Sequence, residues 1–183
     1  MNTTDQIPEI AIELLALDLQ SCSRCVASLE NIEKALESIR PVLDLLDVRV
    51  QLKKHIIKSV DQARHHKFIS SPTIRINGRD VVFETAENRC ESCTDLSGYE
   101  GGIECRVWHY RGSEYTEPPV ALIVEMVLRE LFGTGKSSVN ALPEYTDVPE
   151  NIRRFFQSRV DAKESVAACS CNDAPEPQTC GCQ

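Results

Sequence analysis

An apolar segment that runs directly into two closely spaced cysteines is the feature that most constrains the fold of this chain. Residues 10–19 contain few polar breaks, as expected for a strand buried on both faces of a sheet. Cys22 and Cys25 follow, and apolar side chains at spacings of three and four then predict a helix over residues 26–43. Pro41 falls inside that pattern and predicts a kink or a restart of the helix. Strand, Cys-x-x-Cys and helix in this order place two thiols at the beginning of a helix.

The next hundred residues add strands and helices in alternation. Alternating apolar residues predict a strand over residues 48–57, and a capping-box spacing predicts a short helix over residues 59–68. Two β-rich runs around an Asn-Gly pair predict a tight hairpin within residues 69–84. Residues 120–132 are apolar almost all round, which predicts a helix covered on both sides, with Gly133 closing it in the left-handed conformation.

This order of elements, together with two short motifs, resembles the thioredoxin-like superfamily over about residues 8–133. The Cys-Ser-Arg-Cys motif at residues 22–25 stands where that superfamily keeps its dithiol, and the Ser-Pro-Thr motif at residues 71–73 resembles its cis-proline segment. With residues 149–156, the layout is similar to an uncharacterised prokaryotic thioredoxin-like family with extra cysteines. The resemblance implies an α/β fold: a central mixed sheet flanked by helices, an inserted cysteine-containing hairpin, and a C-terminal helix plus flexible tail.

The same resemblance divides the chain into three regions. We expect a thioredoxin-like domain over residues 1–133 with an insert at about residues 86–117, a linker and docking helix over residues 134–166, and a flexible, cysteine-rich tail over residues 167–183. Thioredoxin itself has Trp before the first cysteine and Gly-Pro between the two, whereas this chain has Ser and Ser-Arg. Substrate and redox potential therefore do not carry over.

The first dithiol can act in thiol–disulfide exchange. Since the thiolate is the attacking species, a helix N-terminus favours reactivity at Cys22, and Arg24 adds positive charge if its side chain turns back. Cys22 is then the nucleophile and Cys25 the resolving thiol. The resemblance implies that Pro72 shapes a substrate groove and that Ser71 offers backbone hydrogen bonds to a bound chain. The alternative is a pair of thiols that only fills space.

Seven further cysteines distinguish the chain from a simple dithiol protein. The insert should emerge near Cys22, where its thiols permit a relay or a shared site for a soft metal; a loop disulfide or loop zinc is the alternative, with His109 as an extra candidate ligand. Tail cysteines in Cys-x-Cys pairs favour bridging between pairs or metal chelation over a bond within one pair, unless the tail is incidental. The candidate ligands are Cys90, Cys93 and Cys105 in the insert and Cys169, Cys171, Cys180 and Cys182 in the tail.

Composition excludes some classes of protein. The 183-residue chain carries a net charge of -8, which argues against nucleic acid as a partner. It has no apolar run of roughly 20 residues and no secretory leader, so we expect no membrane association and a cytoplasmic location. In a reducing compartment, cysteines are more often catalytic or metal-binding than structural disulfides.

Two functions follow from these features. The first is a thiol–disulfide oxidoreductase without a required cofactor, whose partners are a protein or small-molecule disulfide or dithiol and a reductase that donates electrons. The alternative is a sensor, buffer or carrier of zinc or another thiophilic metal or metalloid on a thioredoxin-like scaffold. An iron–sulfur protein is a third hypothesis, since thiolates also hold such clusters.

Overall fold

A computed structural model describes residues 8–82, 86–133 and 145–168. Within these ranges no helix is both long and apolar enough to cross a membrane. The elements, in chain order, are β1 (Glu9–Ala16), α1 (Ser23–Leu45), β2 (Arg49–Ile56), α2 (Val60–His65), β3 (Thr73–Ile76), β4 (Arg79–Asp80), β5 (Ala86–Arg89), α3 (Glu91–Ser97), β6 (Glu104–Tyr110), β7 (Ser113–Tyr115), α4 (Val120–Phe132) and α5 (Glu150–Ala168).

A four-stranded mixed sheet forms the centre of the molecule, with the strand order β2-β1-β3-β4. β1 runs parallel to β2 and antiparallel to β3, and β3 continues antiparallel into β4. A second sheet, with the order β5-β6-β7, is antiparallel throughout. The predicted α/β class with a central mixed sheet and helices is confirmed, and the insert carries the predicted cysteine-containing hairpin.

The two faces of β1 supply two hydrophobic clusters because successive side chains of a strand point to opposite faces. Ile10, Ile12 and Leu14 pack with the buried stripe of α1 and with α4. Leu15 of β1 and Leu17, which follows the strand, contribute to the other cluster, which contains residues of α2, α5 and the insert. That second cluster also holds the five described cysteines, so the thiols are part of the hydrophobic core.

Local signals explain the turns that bring these elements together. Asn77 and Gly78 have φ values of 49° and 77°, as a type I′ turn requires, which confirms the predicted hairpin. Ser59 Oγ accepts a hydrogen bond of 3.2 Å from the backbone N–H of Gln62 and caps α2. β4 is only two residues long, so the second arm of this hairpin is shorter than the sequence pattern indicates.

Three sequence-based expectations are corrected by the structure. α1 continues through Pro41 as one helix to Leu45 rather than restarting. Gly133 has φ −63° and ψ 120°, so it leaves α4 in extended rather than left-handed conformation. α4 is not covered on both sides within the described residues: Phe132 is 60% exposed, and Val124 lines an open groove on that side.

The insert contains a helix that its sequence does not reveal. The stretch around Cys90 shows no helical periodicity, yet α3 forms there over seven residues and ends at Gly98 in the left-handed conformation. The buried residues of α3 are Cys93, Thr94 and Ser97, so the buried stripe is made of small side chains. The predicted hairpin does form, turning through Arg111 and Gly112 with positive φ angles.

Candidate functional site

Two Cys-x-x-Cys motifs begin two helices that meet at one point of the core. Cys22 is the N-cap residue of α1 and Cys25 lies in its first turn. Cys90 is the N-cap residue of α3 and Cys93 lies in its first turn. Neither N-cap side chain makes a capping hydrogen bond, so both first thiols are free to face other groups. Cys105, on β6, is the fifth thiol at this point.

The sulfur atoms lie within contact distance of one another. The Sγ atoms of Cys22, Cys90 and Cys93 all lie within 4.8 Å of each other. Cys93 Sγ is 3.5 Å from Cys22 Sγ, and Cys105 Sγ is 3.2 Å from Cys93 Sγ. All five described cysteines are free thiols, and none is more than 2% exposed. The structure thus places the insert cysteines beside the first dithiol, in a set that we call the thiol cluster: Cys22, Cys25, Cys90, Cys93 and Cys105.

The thiols perturb one another's protonation because each S–H can donate to a neighbouring sulfur. Hydrogen bonds from Cys105 and from the other thiols of the cluster lower the pKa of Cys22 far below its ordinary value of 9.0. A hydrogen bond from Cys105 is also the main cause that lowers the pKa of Cys90 to about 7. Donation to Cys22 raises the pKa values of Cys25 and Cys105. The cluster therefore favours anionic sulfur at Cys22 surrounded by thiol donors.

Polar contacts hold the insert against the beginning of α1. The guanidinium of Arg24 donates to the backbone carbonyl of Arg89 at 2.7 Å and to that of Cys105 at 3.4 Å. Ser23 Oγ and Ser92 Oγ, from the middle of the two motifs, lie 3.2 Å apart. Arg24 is thus engaged by both β5 and β6, and its predicted effect on the Cys22 thiolate stays a prediction.

The edge beside Pro72 is covered by the chain itself. The Ser71–Pro72 peptide is cis, as the resemblance implies, and both residues are buried. Ser71 Oγ accepts a hydrogen bond from the Leu17 N–H at 3.2 Å and lies 3.4 Å from Cys25 Sγ. The Ser71 carbonyl accepts the backbone N–H of Arg106 at 2.7 Å, so β6 occupies the position predicted for a substrate chain. The predicted roles of Ser71 and Pro72 in binding a substrate stay predictions.

Asp18 is a supporting residue that the sequence analysis does not identify. Its Oδ1 atom accepts hydrogen bonds from the backbone N–H groups of Gln20 at 2.8 Å and Cys22 at 3.0 Å, and also from Ser21. Partial burial opposes ionisation, but these hydrogen bonds hold the pKa of Asp18 below 3.8. The carboxylate therefore fixes the loop that presents Cys22. The only indication of this role in the sequence is an acidic residue four positions before the N-cap residue Cys22.

Other candidate residues lie elsewhere. His109 is half-exposed and pairs with Glu114 at 3.2 Å, and it is not part of the close group formed by Cys22, Cys90 and Cys93. A wide groove lined by Leu19, Ile57 and Phe156 lies beside the loop between β1 and α1, but none of the five described cysteines lines it. The tail cysteines lie outside the described residues, as do residues 134–144 of the predicted linker and docking helix.

The cluster has the composition and spacing of a soft-metal site. Tetrahedral Zn²⁺ with Zn–S bonds of about 2.3 Å separates its sulfur ligands by about 3.8 Å. The separations of 3.2 and 3.5 Å and the 4.8 Å limit bracket that value. Within the described part of the chain, Cys22, Cys90 and Cys93 are the only group of three or more metal-ligating side chains this close together. The arrangement can hold a thiophilic ion or exchange electrons between thiols.

The fold and the cluster define a mixed α/β protein with a buried, all-sulfur candidate site. Residues 9–127 match the family described as "Domain of unknown function (DUF2703)", and the chain belongs to that family. The matched region includes the whole thiol cluster. No curated protein and no solved structure matches the chain.

Proposed function

We propose that the protein binds a thiophilic metal ion in the thiol cluster, with Cys22, Cys90, Cys93 and Cys105 as the ligands. The observation that carries this proposal is the buried convergence of Cys22, Cys90 and Cys93 from two helix starts, with Cys105 of β6 in contact with Cys93 at 3.2 Å. A sensor, a buffer and a carrier all require such a site. The scaffold that positions it is proposed to be thioredoxin-like, on the basis of the strand order and the motif positions.

Burial and ligand type favour a soft ion over a hard one. The site offers only sulfur, and thiolates select Zn²⁺, Cu⁺ and similar ions, whereas Mg²⁺ and Ca²⁺ require oxygen ligands. Several adjacent thiolates in a dry core repel one another, and a bound cation offsets that repulsion. The cluster is therefore more stable with an ion than as a set of anions.

The direct test is zinc stoichiometry on the full-length protein. Anaerobically prepared protein is titrated with Zn²⁺ and examined by native mass spectrometry, in a form whose four tail cysteines are replaced by serine. We expect one tightly bound ion, and Cys90→Ser should weaken binding by more than about tenfold because it removes a ligand. Cys25→Ser is the matched control, since it makes the same change at a buried thiol outside the proposed ligand set. Equal affinity of the Cys90→Ser protein and the parent would rule out this site.

Spectroscopy can count the ligands. Co²⁺ in place of Zn²⁺ gives thiolate-to-metal charge-transfer absorption that increases with the number of bound thiolates. We expect the parent to show a four-thiolate tetrahedral spectrum and Cys105→Ser to show a weaker one. An unchanged spectrum in Cys105→Ser would limit the site to Cys22, Cys90 and Cys93, whose sulfur atoms all lie within 4.8 Å of one another.

Thiol–disulfide exchange is the second candidate function. Cys22 and Cys25 at the start of α1, next to the cis Ser71–Pro72 peptide, support it. The burial of all five thiols and the pairing of Ser71 with Arg106 oppose it for large substrates. A small-molecule disulfide is the substrate that best fits such a site, with a reductase as electron donor. In this proposal the tail cysteines act as an accessory relay.

Activity towards a small aromatic disulfide distinguishes this second candidate. With a dithiol as electron donor, Cys22→Ser should abolish turnover by the full-length protein, whereas Cys90→Ser should leave it. Loss of turnover in both variants would point instead to damage to the shared cluster, and retention in Cys22→Ser would exclude this dithiol as the redox centre.

A further inference from the structure

Cys22 belongs to two sets of thiols at once. It lies within 4.8 Å of Cys90 and Cys93, in the proposed ligand set. It is also the N-cap residue of α1, and Cys25 lies three residues later in the first turn of the same helix. A sulfur in a disulfide can no longer act as a thiolate ligand. Cys22 can therefore either bind the ion or form a disulfide with Cys25, but it cannot do both at once.

Cys25 is the one described thiol outside the proposed ligand set. Its Sγ atom lies 3.4 Å from Ser71 Oγ, on the side where β3 begins. When four thiolates hold an ion, Cys25 is the free thiol of the cluster. Cys22 and Cys25 belong to the same helix start, so they can join without the movement of another element.

We infer that Cys25 is a release thiol: oxidation joins it to Cys22 and expels the bound ion. This inference rests on the proposed metal site and assigns its regulation. The oxidant is hydrogen peroxide, because thiols that are at most 2% exposed admit a small oxidant more readily than a bulky disulfide.

The electrons balance over two steps. The Cys22 thiolate attacks the peroxide, the O–O bond breaks, and Cys22 sulfenic acid forms with release of hydroxide. Cys25 sulfur then attacks Cys22 sulfur, the S–O bond breaks, and the hydroxyl group leaves with the Cys25 proton as water. Two thiol sulfurs lose two electrons in total, and one peroxide is reduced to water and hydroxide. The ion loses one of its four ligands and is released.

The test follows zinc release from the loaded full-length protein whose tail cysteines are serine. Hydrogen peroxide is added in the presence of a chromogenic zinc chelator, and the products are mapped as peptides. The parent should release zinc together with formation of a Cys22–Cys25 disulfide. Cys25→Ser and Cys25→Ala should bind zinc with the same stoichiometry and release it about tenfold more slowly, because the resolving thiol is missing. Two variants are used because a buried hydroxyl and a small cavity disturb the core differently.

The outcomes separate this inference from the proposed function. Absence of bound zinc in the parent before peroxide is added overturns the proposed site, and the inference falls with it. Bound zinc that leaves both Cys25 variants at the parent rate overturns the release role alone. A disulfide mapped to Cys93 and Cys105, whose sulfurs lie 3.2 Å apart, overturns it as well.

Discussion

At the scale of single residues, one carboxylate organises the approach to the thiol cluster. Asp18 accepts three successive backbone N–H groups, those of Gln20, Ser21 and the N-cap residue Cys22, and so satisfies donors of the loop that leads into α1. Asp18→Ala should lower the free energy of unfolding by about 1 kcal/mol, as for loss of an N-cap side chain, measured by urea denaturation. Asp61→Ala is the control, since Asp61 is 92% exposed and pairs with Arg64 at the surface; an equal loss in both variants would contradict the role of Asp18.

The lowered pKa of Asp18 predicts how its contribution to the free energy of unfolding changes with pH. A carboxyl whose pKa is lower when folded contributes stability that is fully present above its unfolded pKa of 3.8 and is lost as the pH falls through the folded value. The difference in stability between the parent and Asp18→Ala should therefore be constant near neutral pH and shrink below about pH 4. A difference that grows on acidification would contradict this assignment.

A second feature at the scale of single residues is the buried ion pair between Arg106 of β6 and Asp80 of β4. Arg106 donates to the two carboxylate oxygens of Asp80 at 2.8 and 2.9 Å, and the two side chains are 0% and 2% exposed. Because removal of one partner leaves a buried charge, Arg106→Met and Asp80→Leu should each lower the free energy of unfolding by about 3–5 kcal/mol. The double variant should recover much of that loss, and chemical denaturation measures all three. Glu150→Ala, which breaks an exposed pair with Arg154, should cost less than about 1 kcal/mol.

At the scale of elements, α1 carries a proline in its interior. Pro41 is exposed and lies four residues before the helix ends at Leu45, and it provides no N–H for the helical hydrogen bond. Pro41→Ala should restore that donor and raise the free energy of unfolding by about 1–3 kcal/mol. Thermal denaturation measures the gain, and Arg40→Ala at the neighbouring exposed position should leave the stability nearly unchanged. A loss of stability in Pro41→Ala would mean that Pro41 has a packing role.

Some elements can be predicted from their own residues, whereas others cannot. The hairpin at Asn77-Gly78 and the cap at Ser59 follow from backbone conformations that few other residues adopt, so the sequence predicts both. α3 is hidden because a helix of seven residues with a stripe of small side chains shows no apolar period. Gly133 donates its N–H to Arg129 O at 2.8 Å and then leaves α4 in extended conformation, which the presence of glycine alone does not specify.

The candidate site is predictable in outline from the order of the strands. A chain that returns through β3 and β4 brings the insert back to the end of the sheet where Cys22 lies, so proximity of the two sets of cysteines follows from topology. The covering of Ser71 by Arg106 does not follow, because a hydrogen bond between two backbone groups leaves no trace in side-chain types. The position of Cys90 at the start of a helix cannot be predicted from the sequence either, because α3 itself cannot be predicted.

At the scale of the whole molecule, the thiol cluster lies where separate parts of the fold meet. Cys22 belongs to the start of α1, Cys93 to α3 and Cys105 to β6, the central strand of the second sheet. The polar contacts between the insert and the helix start are few: Arg24 with two carbonyls, and Ser23 with Ser92. An ion held by ligands from all three elements therefore cross-links the insert to the central sheet.

This cross-link predicts a local change in dynamics as well as a gain in stability. Zinc at 100 times its dissociation constant should raise the free energy of unfolding of the full-length protein by about 2.7 kcal/mol. Hydrogen exchange should slow at the amides of α3, β6 and the first turn of α1, while the amides of β2 at the far edge of the sheet should change only with global stability. Cys93→Ser should remove both effects, whereas Cys25→Ser should keep them. Protection spread evenly over all elements would mean that the ion binds without joining the insert to the helix start, which would contradict ligation across the three elements.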